Sequence, residues 1–341
     1  MPSVTVADFR LPVLFSAFLA LSLGAEPMRW PTPHPAPAAG GSFEEWAQPT
    51  VSGDPISALF GCVRNDGARF HEGIDITPFE ERRRGEATDL VMAAWRGEVV
   101  HVNRVAGDSG YGRYVVVRHD QLQPGFVTLY AHLATIPEGV RAGAWVEAGA
   151  PLGVMGRSAG GYSIPRQRAH LHFEIALRLS DDFQTWYDAQ GFGNDNEHGP
   201  WNGMNLIGLD PWEFWLWQRA VPGRELEGYF RTLPTAFVAE VTTREVPSIV
   251  RRHPGLLTEP IPASGVAGWR VAVTGWGMPL RFTPLPTVEA ERPGTIRITA
   301  VDPVELASWT CRDLVRYDGR VARLEVRAQL LFELLFTFEM E

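Results

Sequence analysis

The sequence predicts a mainly β protein, and three observations support this fold class. Between Phe60 and about Trp217, short runs of β-branched and aromatic residues alternate with glycine turns. Segment 140–156 carries a glycine near each predicted turn, a spacing that suits the tight hairpins of a small barrel or sandwich. From about residue 221 the composition changes and further strand-like runs follow, which predicts a second, mainly β C-terminal region.

The predicted elements follow the chain in order. Asp210 is a suitable N-cap with Pro211 at the first helical position, so a helix is predicted from there to about Arg219. Segments 79–89, 157–169 and 180–205 are predicted as inserted loops, and the last two are candidates to line a cleft. The predicted strands are 90–94, 97–102, 114–118, 126–132, 151–155 and 170–177 in the first region, and 235–242, 268–275, 295–300, 321–328 and 331–338 in the second.

Residues 1–25 have the pattern of a secretory signal peptide. Arg10 precedes the apolar run 11–23, and Gly24 and Ala25 supply the small residues of a cleavage site. The run is too short for a comfortable membrane span, although an uncleaved anchor is the alternative. Cleavage predicts an exported chain, periplasmic or secreted, with no membrane span. Residues 26–42 are rich in proline, alanine and glycine and are predicted as a linker.

Charge and cysteine content narrow the partners and the compartment. The formal net charge of -9 argues against a nucleic-acid partner, which requires a basic surface. Cys62 and Cys311 can pair as a disulfide in an exported protein, but the sequence leaves the pairing open, as it does the oligomeric state. Residues 43–220 are expected to form the domain that carries the chemistry, and 221–341 an accessory region without a catalytic constellation.

Four histidines and an aspartate form the candidate site. His170 and His172 lie two residues apart in a predicted strand and therefore share one face. One of them, with His71 and Asp75, supplies the ligands of a Zn²⁺ site that keeps a position open for water. Zinc in such a site lowers the pKa of the water toward ~7 and polarises a carbonyl. The other imidazole and His132 are candidates for proton transfer or oxyanion stabilisation.

These segments resemble the lysostaphin-type zinc metallopeptidases, which cut peptide bridges in bacterial cell walls. The family's His-x-x-x-Asp motif is present as His71 and Asp75, and its intermediate histidine as His132 within Leu-Tyr-Ala-His-Leu. The His-x-His motif is present as His170 and His172 within His-Leu-His-Phe-Glu. All three motifs occur in the family's order, and the resemblance covers roughly residues 60–217, under half of the chain.

The resemblance implies roles for each residue. His71, Asp75 and His172 would bind zinc, and His170 and His132 would flank the metal-bound water and the oxyanion. The implied fold is a β-rich barrel-sandwich hybrid with a groove across one sheet. The implied function is an exported zinc metalloendopeptidase that hydrolyses peptide bonds in peptidoglycan stems or cross-links, with a metal-bound water as nucleophile. Two alternatives stay open: a non-catalytic regulator that activates partner cell-wall hydrolases, and a secreted zinc peptidase that acts on proteins.

Several positions depart from the family pattern or have two interpretations. Arg113 stands where the family often has asparagine, and the loops on both sides of the His-x-His strand are long, which bears on substrate choice. Glu174 is either an acceptor that fixes an imidazole or a solvated carboxylate at a strand end. A covering loop could also place Asn194, Asn196 or His198 at the open metal position.

Overall fold

The structure is a computed structural model that describes residues 26–80, 86–123, 125–220, 226–289 and 292–336. The mainly β prediction is confirmed, and the described sheets are open, with no closed barrel among them. The predicted signal peptide lies outside the described residues. Among the residues described, no helix has both the length and the apolar character needed to cross a membrane.

The first region is built around one sheet. The β-strands of this region are β1 (Gly61–Arg64), β2 (Arg69–His71), β3 (Ile74–Ile76), β4 (Leu90–Met92), β5 (Gly97–Asn103), β6 (Tyr114–Arg118), β7 (Phe126–Ala131), β8 (Trp145–Val146), β9 (Pro151–Val154), β10 (Leu171–Arg178) and β11 (Leu206–Leu209). The main sheet has the order β11-β10-β7-β6-β5-β8, and β3 pairs with the first part of β10. β1 pairs with β2, and β4 with β9, in two small ribbons.

The second region contains a four-stranded sheet of order β14-β13-β12-β15 and a β16–β17 ribbon. Its strands are β12 (Phe237–Thr242), β13 (Gly268–Val273), β14 (Pro279–Leu285), β15 (Ile296–Val301), β16 (Val315–Tyr317) and β17 (Ala322–Leu324). The α-helices of the described residues are α1 (Ala36–Ala39), α2 (Phe183–Gln190), α3 (Pro211–Ala220), α4 (Leu226–Phe230), α5 (Ser248–Arg252), α6 (Pro303–Ser308) and α7 (Val326–Phe336). The division into 43–220 and 221–341 stays a prediction.

The last predicted strand is wrong. Segment 331–338 was expected to extend, but its described part, 331–336, belongs to helix α7, which also takes the end of the predicted strand 321–328. The run Leu-Leu-Phe-Glu-Leu-Leu-Phe is apolar at nearly every position, so its periodicity does not separate a buried strand from a buried helix. By contrast, helix α3 begins as predicted, because Asp210 Oδ1 accepts hydrogen bonds from the backbone N–H groups of Trp212 and Glu213.

Residues 26–42 are not a free linker. Met28 and Trp30 are buried, and the Met28 backbone N–H donates to Gln218 Oε1 at 2.6 Å. The Trp30 ring makes edge contacts with Trp46 and Trp215, at centroid distances of 5.1 and 5.4 Å. Burial of these aromatic side chains outweighs the linker-like composition of the segment.

A disulfide joins the two regions. Cys62 and Cys311, 249 residues apart, are bonded, which decides the pairing that the sequence left open. Cys62 lies opposite Phe70 in the β1–β2 ribbon, and Trp309 packs against Phe70 at a centroid distance of 6.3 Å. The β1–β2 ribbon, which ends in His71, is therefore attached to the C-terminal region by a covalent bond and by aromatic packing.

Candidate metal centre

The centre of the site is set by the register of two strands. Antiparallel pairing of β10 with β3 places His172 directly opposite Asp75. The His172 Nδ1 to Asp75 Oδ1 distance is 3.0 Å. His71, at the end of β2, completes the group, with its Nε2 atom 3.0 Å from His172 Nδ1 and 3.2 Å from Asp75 Oδ1. All three residues are buried, and together they are a candidate metal-binding group.

The size of this triangle fits zinc. Ligand atoms ~2.0–2.1 Å from a tetrahedral zinc ion lie ~3.3 Å from one another. The three facing atoms are 3.0–3.2 Å apart. Two imidazole nitrogens and one carboxylate oxygen are also a donor set that zinc accepts in sites that keep a fourth position for water.

Hydrogen bonds on the outer side of each imidazole aim the inner nitrogen at this triangle. The Nδ1–H group of His71 donates to the Leu59 carbonyl at 2.7 Å, which leaves Nε2 facing inward. The Nε2–H group of His172 donates to Glu174 Oε1 at 2.8 Å, which turns Nδ1 inward. Such acceptors are typical partners of metal-bound histidines because they fix the ring orientation.

The triangle also attracts positive charge. The pKa of Asp75 lies well below its usual value: burial acts to raise it, but neighbouring His170, His71 and Arg64 outweigh burial. Burial likewise acts to lower the pKa of His172, yet hydrogen bonds to Asp75 and Glu174 raise it to about 9. The Arg64 guanidinium bonds to Asp75 Oδ2 and lies 2.7 Å from His71 Nε2. The Asp75 carboxylate is therefore ionised, and a metal cation bound beside it would displace the proton of His172, because metal-bound imidazole nitrogens are deprotonated.

The remaining two histidines lie beside the triangle and not in it. The His170 Nε2 atom is 3.6 Å from Asp75 Oδ1, and the ring centroids of His170 and His132 are 4.8 Å apart. Each donates its Nδ1–H to a carbonyl at 2.8 Å, His170 to Arg168 and His132 to Ser158. Burial lowers the pKa of both rings. In their neutral forms, both therefore carry an Nε2 lone pair that can accept a proton.

The backbone at His132 supports this placement. His132 directly follows β7 and has a φ of 61°, in the left-handed region that non-glycine residues rarely adopt. Its backbone N–H donates to the Tyr111 carbonyl at 2.9 Å, and the Ser158 hydroxyl donates to the Leu133 carbonyl at 2.8 Å. The contacts of the segments around Tyr111 and Ser158 therefore hold the His132 imidazole at the end of the sheet.

Glu174 is an acceptor that fixes an imidazole, and the solvated alternative is wrong. Its carboxylate is buried, and Oε1 accepts hydrogen bonds from both His172 Nε2–H and the Tyr111 hydroxyl, the latter at 2.6 Å. The Tyr111 ring also packs on His172, with centroids 5.6 Å apart. No role was predicted for Tyr111, because nothing in the local pattern shows that its hydroxyl reaches a residue 63 positions away.

Arg64 was missed for a similar reason. It precedes His71 by seven residues, and only the β1–β2 pairing brings it to the site. Arg113, by contrast, has no hydrogen bond to the site within the described part of the chain: its side chain donates to the carbonyls of Arg104 and Ala134. It holds neighbouring backbone segments together.

The long insertion after β10 covers the sheet but does not reach the metal ligands. His198 accepts a hydrogen bond from the Tyr114 hydroxyl at Nδ1 (2.8 Å) and donates from Nε2 to the Asp108 carbonyl. Asn196 bonds to Gln184 and Gly199. Trp201 packs in an apolar cluster with the sheet face that carries Leu129. Asn194 is exposed. No described contact joins these loop residues to the triangle.

Comparisons with known proteins match the part of the chain that carries this site. Residues 69–182 match the sequence model of peptidase family M23, which confirms the resemblance for this part of the chain. No curated protein matches the chain. Matching solved structures include the catalytic domain of the antimicrobial peptidase lysostaphin from Staphylococcus simulans (21% identity, 47% of this chain and 87% of that chain, TM-score 0.29).

Two further structures match a smaller share of the chain. One is a zinc-containing peptidase from Vibrio cholerae (27% identity, 32% of this chain and 27% of that chain, TM-score 0.23). The other is a Ruminococcus gnavus protein assigned as a glycyl-glycine endopeptidase (26% identity, 32% and 40%, TM-score 0.26). The chain thus spans well under two thirds of the length of these two relatives, so its activity as a whole is inferred and not read from them.

His172→Ala and His170→Ala form a matched pair that tests the two roles. His172→Ala removes an inner nitrogen of the triangle, so zinc affinity should fall by more than ~100-fold, beyond the loss typical of outer partners. His170→Ala leaves the triangle intact and should keep one zinc per chain while losing hydrolysis. Metal analysis after gel filtration, with circular dichroism as the folding control, measures the difference. Equal metal loss in both variants would contradict the division of roles.

Glu174→Gln should weaken zinc binding by about 10-fold or more, because it removes the charge that orients His172. Tyr111→Phe keeps the carboxylate on His172 and should have a smaller effect. Competition with a chromophoric chelator gives both affinities. If Glu174→Gln binds zinc as tightly as the unmodified chain, the carboxylate does not support the ligand.

Proposed function

We propose, on the premise that residues 69–182 belong to peptidase family M23, that this chain is an exported zinc metalloendopeptidase that hydrolyses peptide bonds in peptidoglycan. The observation that carries the proposal is the convergence of His71 Nε2, Asp75 Oδ1 and His172 Nδ1 within 3.2 Å of one another. Lysostaphin and the glycyl-glycine endopeptidase among the matching structures support a peptide substrate of the cell wall.

The residues of the site would have two roles, metal binding and proton transfer. His71, Asp75 and His172 would hold zinc, which supplies a water of lowered pKa and polarises a carbonyl. His170 and His132 present inward nitrogen lone pairs while their Nδ1–H groups are held by carbonyls. They would accept the proton of the attacking water and, once protonated, stabilise the developing oxyanion or return the proton to the leaving amine.

The complete ligand set argues against a non-catalytic regulator. A scaffold that only activates a partner hydrolase has no need of three converging ligands with oriented rings. Here the outer hydrogen bonds of His71 and His172 and the placement of His132 and His170 are all present. The geometry therefore favours an enzyme.

Two features support export. The first is the signal-peptide pattern of residues 1–25. The second is the bond between Cys62 and Cys311, since disulfides persist mainly in oxidising compartments outside the cytosol.

Digestion of purified peptidoglycan by the chain from Glu26 onward tests the proposal. Released fragments are identified by mass spectrometry in three parallel reactions: zinc-loaded chain, chain with a zinc chelator, and chelated chain with zinc restored. We expect new peptide ends that disappear with chelator and return with zinc, and their masses name the bond cleaved.

The opposite result is equally clear. A zinc-loaded chain that releases no peptide from peptidoglycan contradicts the proposal. Cleavage of an unfolded protein such as casein in the same samples would then assign the site to a protein substrate.

A further inference from the structure

Two arginines face each other across the β1–β2 ribbon. The register pairs Arg64 with Arg69. Like charges directly opposite in an antiparallel pair destabilise it, so such a pair calls for a compensating anion. The chain has a net charge of -9, so acidic side chains that could neutralise the two arginines are numerous in its sequence.

A β-bulge brings this pair to the metal side of the ribbon. Gly61 pairs with His71 and Cys62 with Phe70, but the register then shifts so that Arg64, and not Val63, opposes Arg69. Bulges of this kind redirect a side chain and are frequent beside active sites. Arg69 and His71 are two residues apart in β2 and therefore point to the same face. Arg64 reaches the same place, since it contacts His71 and Asp75.

The donors of this pair are only partly used. The hydrogen bonds of Arg64 use Nη2 and Nε, the latter to the Ser57 carbonyl at 3.4 Å, and none among the described residues uses Nη1. Arg69 is exposed, and no hydrogen bond or ion pair holds it within the described part of the chain. Among the acidic residues that the structure describes, Asp75 alone bonds to Arg64, and it is also a metal-ligand candidate.

An aromatic ring lies next to the candidate metal centre. Tyr162 is 54% exposed, and its hydroxyl donates to the Gly110 carbonyl at 3.1 Å. Its ring lies edge-on to His132, with centroids 6.4 Å apart. Its pKa is raised by burial and by Asp75, while Arg64 and Arg69 act to lower it, so both arginines lie within electrostatic range of this phenol.

We propose that Arg64 and Arg69 form a subsite that binds a carboxylate of the substrate peptide beside the scissile bond. The proposal rests on the proposed function and narrows its substrate class to peptides with a free carboxylate near the bond that is cut. Arg69 supplies an exposed guanidinium that bonds to no other described residue. Arg64 supplies a second guanidinium beside the metal ligands, and its Nη1 group makes no hydrogen bond within the described residues. A carboxylate between them relieves the repulsion of the pair and accepts charge-assisted hydrogen bonds.

The test uses a soluble cross-linked peptidoglycan fragment and the same fragment with its free carboxylates converted to carboxamides. Binding of each to zinc-loaded His170→Ala chain is measured by calorimetry, which does not require hydrolysis. We expect amidation to weaken binding about 10-fold, the loss of one charge-assisted hydrogen bond. Adding Arg69→Gln should weaken binding of the carboxylate form by a similar factor and leave the amidated form unchanged.

Arg141→Gln is the matched control, because Arg141 is exposed and lies before β8, at the edge of the sheet opposite β3. In the active chain, Arg69→Gln should raise KM for the carboxylate fragment with little change in kcat, and zinc content should stay at one per chain. The subsite is overturned if neither fragment binds, if amidation has no effect, or if Arg69→Gln weakens both forms equally.

The two proposals fail separately. A carboxylate-dependent, Arg69-dependent binding without any cleavage by the zinc-loaded wild-type chain would retain the subsite and reject the peptidase. Cleavage of both fragments with the same kcat/KM would retain the peptidase and reject the subsite.

Discussion

The pairing of β3 with β10 in one register is the constraint on which the site depends. It sets Asp75 opposite His172, so that a carboxylate and an imidazole meet across a strand pair and no flexible loop positions them. A shift of one residue would turn His172 to the opposite face of the sheet. β10 is also paired with β7, which ends beside His132, so the same strand positions the metal ligands and a candidate proton acceptor.

The buried polar groups around this strand pair have hydrogen-bond partners, and these bonds restrict how the imidazole rings can turn. Glu174 accepts from His172 and Tyr111, and backbone carbonyls accept from His71, His132 and His170. Each acceptor fixes which ring nitrogen faces inward, and leaving one unpaired in the interior would be costly. The disulfide to Cys311 braces the β1–β2 ribbon from the far side, which gives the C-terminal region a structural connection to the site.

The sequence predicts those parts of the site that depend on local patterns. The shared face of His170 and His172 follows from strand alternation, and strand 114–118 is found where its β-branched run lies. The resemblance supplied the choice of His172 over His170. In the structure, His172 Nδ1 lies 3.0 Å from Asp75 Oδ1, and His170 Nε2 lies 3.6 Å from the same oxygen. Arg64 could not be predicted because its position depends on a bulge, and the packing of residues 26–42 depends on partners near residue 215. The apolar run 331–336 is a helix because tertiary packing, not periodicity, decides between the two forms.

Anomalous diffraction at the zinc edge from crystals of the zinc-loaded chain tests the central claim most directly. The account predicts one strong peak, from a zinc ion that lies ~2.0–2.2 Å from His71 Nε2, Asp75 Oδ1 and His172 Nδ1. The hydrogen bond between Glu174 and His172 should still be present. A peak bonded to His170 or His132 in place of His172, or one held away from Asp75, would contradict it.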